Sequence, residues 1–468
     1  MKENNRPLEH PVINRLFQML DYSTCNFRAI DAIKYNLDEN GFVELPEGDK
    51  WEIEPGCKYY VVKNHSAIFA FVAGTAPVES AGFRIISSHS DSPCFKLKPN
   101  CEIYGDGGVV SLNVEKYGGG ILYTWFDRPL SVSGRIMLRG YDAFHPEEYV
   151  IDLRMPVATI PHLAIHFNRS VNEGNPLSVQ KDMKPVLGYY TQEEIAQFKS
   201  NGGVIRHLIA QHINRNPEQF FNIRDQFSPA ANMRLNNEVS PQDILDYELC
   251  LYPAEEPSLV GANLEYFQSA RIDDLSMAFA SLEAMLATCN TPCDATRVIA
   301  IFDNEETGSG TKQGAASPVL RHIAERVCIC TGSNSQGIYM ALANSFMISA
   351  DDAHAWHPNY NEKYDPTNHP VMGGGPVVKI NANCKYMTDA RGATVFKSLC
   401  EEAEVNCQYF VNHADVAGGS TLGNISSSQL DIDGVDVGCA IWAMHSARET
   451  ASVSDHLDMV KVLTTFLK

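Results

Sequence analysis

Residues of metal-binding type stand at the ends of apolar runs along this chain. His89 closes RIISSH, Glu305 and Glu306 close VIAIFDNEE, Asp351 follows FMISA, and His445 closes VGCAIWAMH. Asp273 sits just before the apolar stretch that begins near Leu275. Imidazoles mixed with carboxylates, without thiolates, suit catalytic zinc, manganese or cobalt rather than a structural zinc knot. Two ions about 3.5 to 4 Å apart need a carboxylate that bridges them, plus a histidine and a carboxylate on each. That arrangement uses five side chains and leaves one carboxylate free. Within the Glu305–Glu306 pair, one can bind metal while the other takes a proton from the attacking water. Asp91, two residues after His89, is placed to orient that imidazole through its second ring nitrogen. Taken singly, Asp273 or Asp274 also reads as a helix N-cap, and either histidine as an ordinary buried one.

The elements that must position these residues are short strands alternating with helices. KYYVVK (58 to 63), AIFAFVAG (67 to 74), FRIISSH (83 to 89) and TRVIAIFD read as buried strands. LSMAFASLEAMLATC reads as a helix with apolar residues at 275, 278, 279, 282, 285 and 286. An earlier helix is expected to be capped by Ser23 or Thr24, to bury Phe27, Ile30, Ile33 and Leu37, and to stop at Gly41. Strand, helix, strand predicts an α/β fold with a mostly parallel sheet flanked by helices, whose carboxyl edge gathers ligands. From about Lys96 to Cys250 the texture changes to a β-rich stretch with the Gly118–Gly119–Gly120 triplet. The expected division is a discontinuous catalytic domain, 1–96 with 251–468, and an inserted domain, 97–250.

Composition narrows the classes of function. A chain of 468 residues exceeds one ordinary core, and 44% hydrophobic with 20% charged residues is globular. A net charge of −20 without a basic cluster speaks against nucleic acid and anionic lipid as partners. MKENNRPLEH lacks a signal-peptide core, and no apolar run of about 18 residues is present to span a bilayer, so a cytoplasmic location is expected. The 13 cysteines form no CxxC pair and are expected to be reduced and mostly buried. No HExxH string occurs.

The strings SSHSDSP, TWFDRPLSVSGR, IPHLAIHFNR, RIDDL, FDNEETGSG, SADDAHAWHPNY, GPVVKIN and AMHSARE resemble the aspartyl aminopeptidase family of dimetal peptidases, in the family's order from about residue 11 onward. The resemblance implies two divalent ions per subunit, most simply zinc, held by His89, Asp273 as the bridge, Glu306, Asp351 and His445, with Glu305 as general base. It chooses Asp351 over Asp352. It implies that His166 reaches the active site of a neighbouring subunit as an oxyanion donor, through an inserted domain that serves dimerisation and covers the site. Lys379 and His354 are implied to line the pocket for an acidic N-terminal side chain. The expected activity is removal of N-terminal Asp or Glu from peptides by a homo-oligomer built from dimers. One departure is visible: in NHADVAGGSTLG the family typically has Cys where Ala417 or Gly418 stands, which bears on pocket shape. The rival readings are a dimetal aminopeptidase of broader or deblocking specificity, and a non-catalytic assembly protein that uses metal for stability.

Overall fold

The computed structural model describes residues 7–216 and 238–468; the first part of MKENNRPLEH lies outside them. The chain divides into two compact units, one of residues 1–92 and 256–468, the other of 93–255.

The first unit is built on a nine-stranded sheet. Its strands are β1 (Val43–Glu44), β2 (Lys58–Lys63), β3 (Ala67–Val72), β4 (Phe83–His89), β5 (Thr296–Phe302), β6 (Phe346–Ala350), β7 (Val377–Ile380), β8 (Gln408–Val411) and β9 (Asp433–Gly438). Their spatial order is β1-β2-β3-β5-β4-β6-β9-β7-β8. The central β5-β4-β6-β9 run is parallel, and antiparallel pairs lie outside it, as at β2-β3, β3-β5 and β7-β9.

Both faces of the sheet are buried, as continuous apolar strands require. Alternation assigns neighbours to opposite sides. Ile86, Ile299, Ile301 and Ile348 join one cluster; Ile85, Val298, Ala300, Phe302 and Met347 join the other. Truncating a core residue such as Ile348 to Ala would cost about 2 to 5 kcal/mol. The helices on these faces include α1 (Pro11–Tyr22), α2 (Asn26–Glu39), α3 (Ile272–Thr288), α4 (Val319–Cys330), α5 (Ala390–Glu402) and α6 (Val453–Phe466). α3 is buried on almost every side, far beyond the single stripe its periodicity predicts, because it packs against both β4 and α6. α2 buries Phe27, Ile30, Ile33 and Leu37 as expected, but neither Ser23 nor Thr24 caps it. Cys25 occupies the N-cap, and both hydroxyl residues are buried ahead of it. Gly41 ends the helix at φ 75°, where Phe42 N–H reaches back to the Leu37 carbonyl at 3.1 Å.

VGCAIWAMH is not one strand. It leaves the main sheet after Gly438 and resumes at Ala440–Trp442 in a second, five-stranded sheet with Ser258–Val260, Tyr266–Ser269, Glu449–Ser452 and Ala353–His354. The periodicity hides the break because both pieces are buried.

The other unit holds a six-stranded antiparallel sheet, ordered His145–Asp152, Leu130–Asp142, Ile244–Pro253, Cys94–Tyr104, Val109–Tyr117 and Val186–Tyr189. Helices Gln192–Ser200 and Gly203–Arg215 add Ile195 and Val204 to a small cluster with Val110. No helix among the described residues is long and apolar enough to cross a membrane.

Candidate metal centre

Parallel register brings three strand ends to one edge. His89, the last residue of β4, lies opposite Phe302, the last of β5, and Ser349 near the end of β6 pairs with Ser87. The chain therefore releases His89, Glu305 with Glu306, and Asp351 on the same side of the sheet. After β5 it turns through Asn304 at φ 63°, a left-handed conformation that Asn tolerates better than most residues. Asn304 Oδ1 accepts from Thr311 Oγ1 and Gln313 Nε2, both at 2.8 Å, which locks the turn. Asp273 comes from the start of α3, where it and Asp274 depart from helical geometry; neither is the N-cap, a place taken by Arg271. His445 arrives from the second sheet through a turn that puts Ala443 and His445 at φ 56° and 67°.

Three groups of potential ligand atoms result among the described residues, each with its atoms within 4.8 Å of one another: His89–Asp273–Asp351, Asp273–Glu306–His445 and the all-carboxylate Asp273–Asp274–Asp352. Asp273 belongs to both groups that hold a histidine: Oδ1 lies 3.6 Å from His89 Nε2, and Oδ2 lies 3.2 Å from His445 Nε2. Glu306 Oε1 is 3.2 Å from the same His445 nitrogen. Yet Asp273 Oδ1 and Glu306 Oε1 make no aligned hydrogen bond and are buried from water. Close approach without alignment is what donors gathered around a common point produce, and buried carboxylate oxygens left this way favour a cation between them.

The charges agree. Burial works against protonation of His445, but Asp273 and Glu306 outweigh it and push its pKa up to about 11. His89 is likewise raised, against its burial, by Asp273, Asp274 and Asp91. Burial favours the neutral form of Asp273, but the two histidines hold its pKa below the usual carboxylate range. Burial, then Asp351 and other carboxylates, push Glu305 up to about 8 despite His89. Burial first, with Asp273, takes Glu306 to about 7. A bound cation lowers the pKa of every one of these groups, opposite to the shifts of His89, His445, Glu305 and Glu306, because protons and metal ions compete for the same lone pairs.

Three carboxylates that belong to neither proposed role hold the donors in place. Glu449 accepts the backbone N–H of His445 at 2.6 Å through Oε1 and that of Asp273 at 3.0 Å through Oε2. Asp274 Oδ2 accepts the His89 N–H at 3.0 Å. Asp91 Oδ1 and Oδ2 accept the N–H groups of Glu305 and Glu306, both at 3.1 Å. His89 Nδ1 meets the Asp91 carbonyl at 3.0 Å and stands 3.4 Å from the Asp91 carboxylate. The side chain is turned towards the Glu305–Glu306 turn, a pairing across 214 residues that no local pattern encodes. Glu449 was missed for the same reason, although its place in HSARE, four residues past His445, was a usable signal.

A cavity of about 130 Å³ opens beside these groups, lined by Glu305, His354, Lys379, Tyr386, Phe410 and Thr421 among others. This is below the roughly 300 to 1,000 Å³ of sites that engulf a drug-sized ligand, so it fits a terminal residue better than a length of chain. Lys379 is buried and pairs with Asp351 Oδ1 at 3.0 Å. Burial opposes its charge, but Asp351, Tyr386 and Asp436 raise its pKa and keep it cationic. His354 is exposed to the cavity yet crowded by protein; that crowding and then Lys379 lower its pKa. His166 lies in the unit of residues 93–255, exposed in a turn.

The profile described as Aminopeptidase I zinc metalloprotease (M18) matches residues 19–467. The chain belongs to the M18 family of zinc aminopeptidases. A probable M18 family aminopeptidase 2 of Clostridium novyi (strain NT) is 42% identical over 453 residues, 97% of this chain and 98% of that one. Among solved structures, an Ape4 chain described in complex with Nbr1 is 32% identical with TM-score 0.89, covering 97% of this chain and 85% of that one. The S. cerevesiae mApe1 dodecamer shares the fold at 23% identity and TM-score 0.78, covering 97% of this chain and 95% of that one. As an M18 member the chain is a metallo-aminopeptidase with a mixed α/β fold.

Proposed function

We propose that this M18 enzyme removes N-terminal Asp or Glu from peptides, with two divalent ions, zinc most simply, in the two donor groups that share Asp273. The observation that carries this reading is that sharing: opposite oxygens of one carboxylate face two histidines. Asp273 would bridge, His89 and Asp351 would complete one site, and Glu306 and His445 the other. The chemistry that bound ions supply is Lewis acidity, which polarises the scissile carbonyl and lowers the pKa of a water. Glu305, beside the donors but outside both groups, takes the proton of that attacking water and passes it to the leaving amine. Asp91 fixes the backbone of Glu305 through the 3.1 Å hydrogen bond and so aims the base.

Lys379 and His354 on the cavity wall receive the acidic side chain, a charge-assisted contact. His166 serves the active site of a neighbouring subunit as an oxyanion donor, in a homo-oligomer built from dimers through the inserted unit. Its exposed position supports this, as does the dodecamer formed by the mApe1 relative. One observation favours a second reading, a broader-specificity aminopeptidase: Lys379 already has a partner in Asp351.

Initial rates on matched peptides beginning with Asp, Glu, Leu, Ala and Lys, with chelator and with metal restored, test both. Chelator-sensitive turnover confined to Asp and Glu is expected. Equal turnover of Leu and Ala would favour the second reading, and no turnover with any metal would refute a catalytic role.

A further inference from the structure

Behind the cavity wall stands a wholly buried carboxylate that the metal centre does not use. Asp436 lies on β9, opposite Ser349 of β6. Two segments of the wall converge on its side chain: Oδ1 accepts from Thr421 Oγ1 at 2.6 Å, and Oδ2 accepts the Met387 N–H at 2.6 Å. The Asp436 N–H in turn donates to Thr388 Oγ1 at 2.8 Å. Thr421 and Tyr386, the residue before Met387, both line the cavity. A carboxylate out of reach of water is costly unless donors meet its oxygens, and here both donors belong to the wall.

The contact with Thr421 is made against local preference. Thr421 is the N-cap of the helix Leu422–Leu430, a position from which a threonine hydroxyl ordinarily accepts from the first turn of its helix. It makes no such bond and gives its proton to Asp436. Gly423, in that first turn, lets the helix come this close: a Cβ there would stand 2.5 Å from Asp436 Oδ1 and 2.6 Å from Oδ2. Departures from local rules of this kind gather at functional sites. β9 also runs antiparallel to β7 with Val437 opposite Val378, which sets the next residues, Asp436 and Lys379, side by side. The Asp436 charge helps to keep Lys379 cationic.

We propose that Asp436 is the positioning residue of the pocket for the substrate's N-terminal side chain, clamping Thr421 and the Tyr386–Thr388 segment to the strand beside Lys379. The inference rests on the reading of the cavity as the place of that side chain. Asp436 acts through these neighbours and not on the reacting atoms, so its loss should appear in substrate fit before it appears in the chemical step.

Asp436→Asn tests this in the full-length, metal-loaded enzyme. The amide keeps the shape but has one accepting atom instead of two, so one of the two wall contacts is lost. For a peptide beginning with Asp, KM is expected to rise about 10-fold, the worth of a hydrogen bond to a charged group, while kcat changes less than about 3-fold and metal content stays as in wild type. Thr421→Val should show the same split, and Thr421→Ser, which keeps the hydroxyl, should restore most of the KM. The double variant Asp436→Asn with Thr421→Val should be no worse than the poorer single one, because both remove the same contact. Where Asp436→Asn is not recovered folded, the Thr421 pair decides: a wild-type KM in Thr421→Val overturns the proposal. So do additive losses in the double variant, or a fall in kcat and metal content of Asp436→Asn with KM unmoved. In each of these cases a wild type that selects Asp over Leu keeps the reading of the cavity intact. A wild type that hydrolyses Asp and Leu peptides equally removes that reading and this inference together.

Discussion

Lys379 Nζ lies 3.0 Å from Asp351 Oδ1, so the cation expected to greet an acidic substrate is paired to a carboxylate of the proposed metal centre. The two duties make different predictions. Lys379→Met is expected to lower kcat/KM for an N-terminal Asp peptide roughly 10- to 100-fold more than for a Leu peptide, the worth of a charge-assisted hydrogen bond. Equal losses across the panel would mean that Lys379 only holds Asp351.

Glu305 is held by its backbone N–H on Asp91, and its carboxylate is the proposed general base. Glu305→Gln should bind metal with unchanged stoichiometry while kcat falls by roughly 100- to 10,000-fold, the range of general acid–base catalysis. A variant that keeps full turnover with metal bound would remove Glu305 from the mechanism.

Glu449 joins Asp273 to His445 through two backbone hydrogen bonds, and also restrains the left-handed turn at His445. Its loss should loosen both donor groups. Glu449→Ala is expected to weaken metal binding about 10- to 100-fold, as outer partners of ligands usually do. Chelator competition on the folded variant measures this; unaltered affinity would reduce Glu449 to a packing residue.

His456 in α6 supplies a pH dependence unrelated to the centre. It is wholly buried, neither ring nitrogen finds a partner among the described residues, and burial lowers its pKa from 6.5 to about 4. The unfolded chain binds this proton below pH 6.5 and the folded one only near pH 4. Stability contributed by the neutral ring is therefore whole above pH 6.5 and falls as pH drops towards 4, by about 3 kcal/mol in all. Melting curves at pH 7 and pH 5 should show a smaller acid shift for His456→Leu than for wild type. Parallel shifts would contradict the assignment.

Much of the catalytic unit is written in local pattern. FRIISSH, TRVIAIFD and FMISA announce strands because each is an apolar run that turns polar abruptly where a buried sheet meets its carboxyl edge. The helix after Asp273 is equally plain, since its apolar positions recur at helical spacing. These signals depend on neighbours along the chain, and a single sequence carries them whole. The arrival of His445 by way of a second sheet does not appear there, because Ala440–Trp442 and Asp433–Gly438 are largely buried and read as one run. Nor do the hydrogen bonds that the backbone N–H groups of Glu305, His89 and Asp273 donate to Asp91, Asp274 and Glu449, or the pairing of Lys379 with Asp351. Each joins residues far apart in the chain whose types are common everywhere. Residue type and spacing determined which groups had chemistry to offer; only tertiary packing, by choosing which buried carboxylate meets which backbone N–H, decided how they are held.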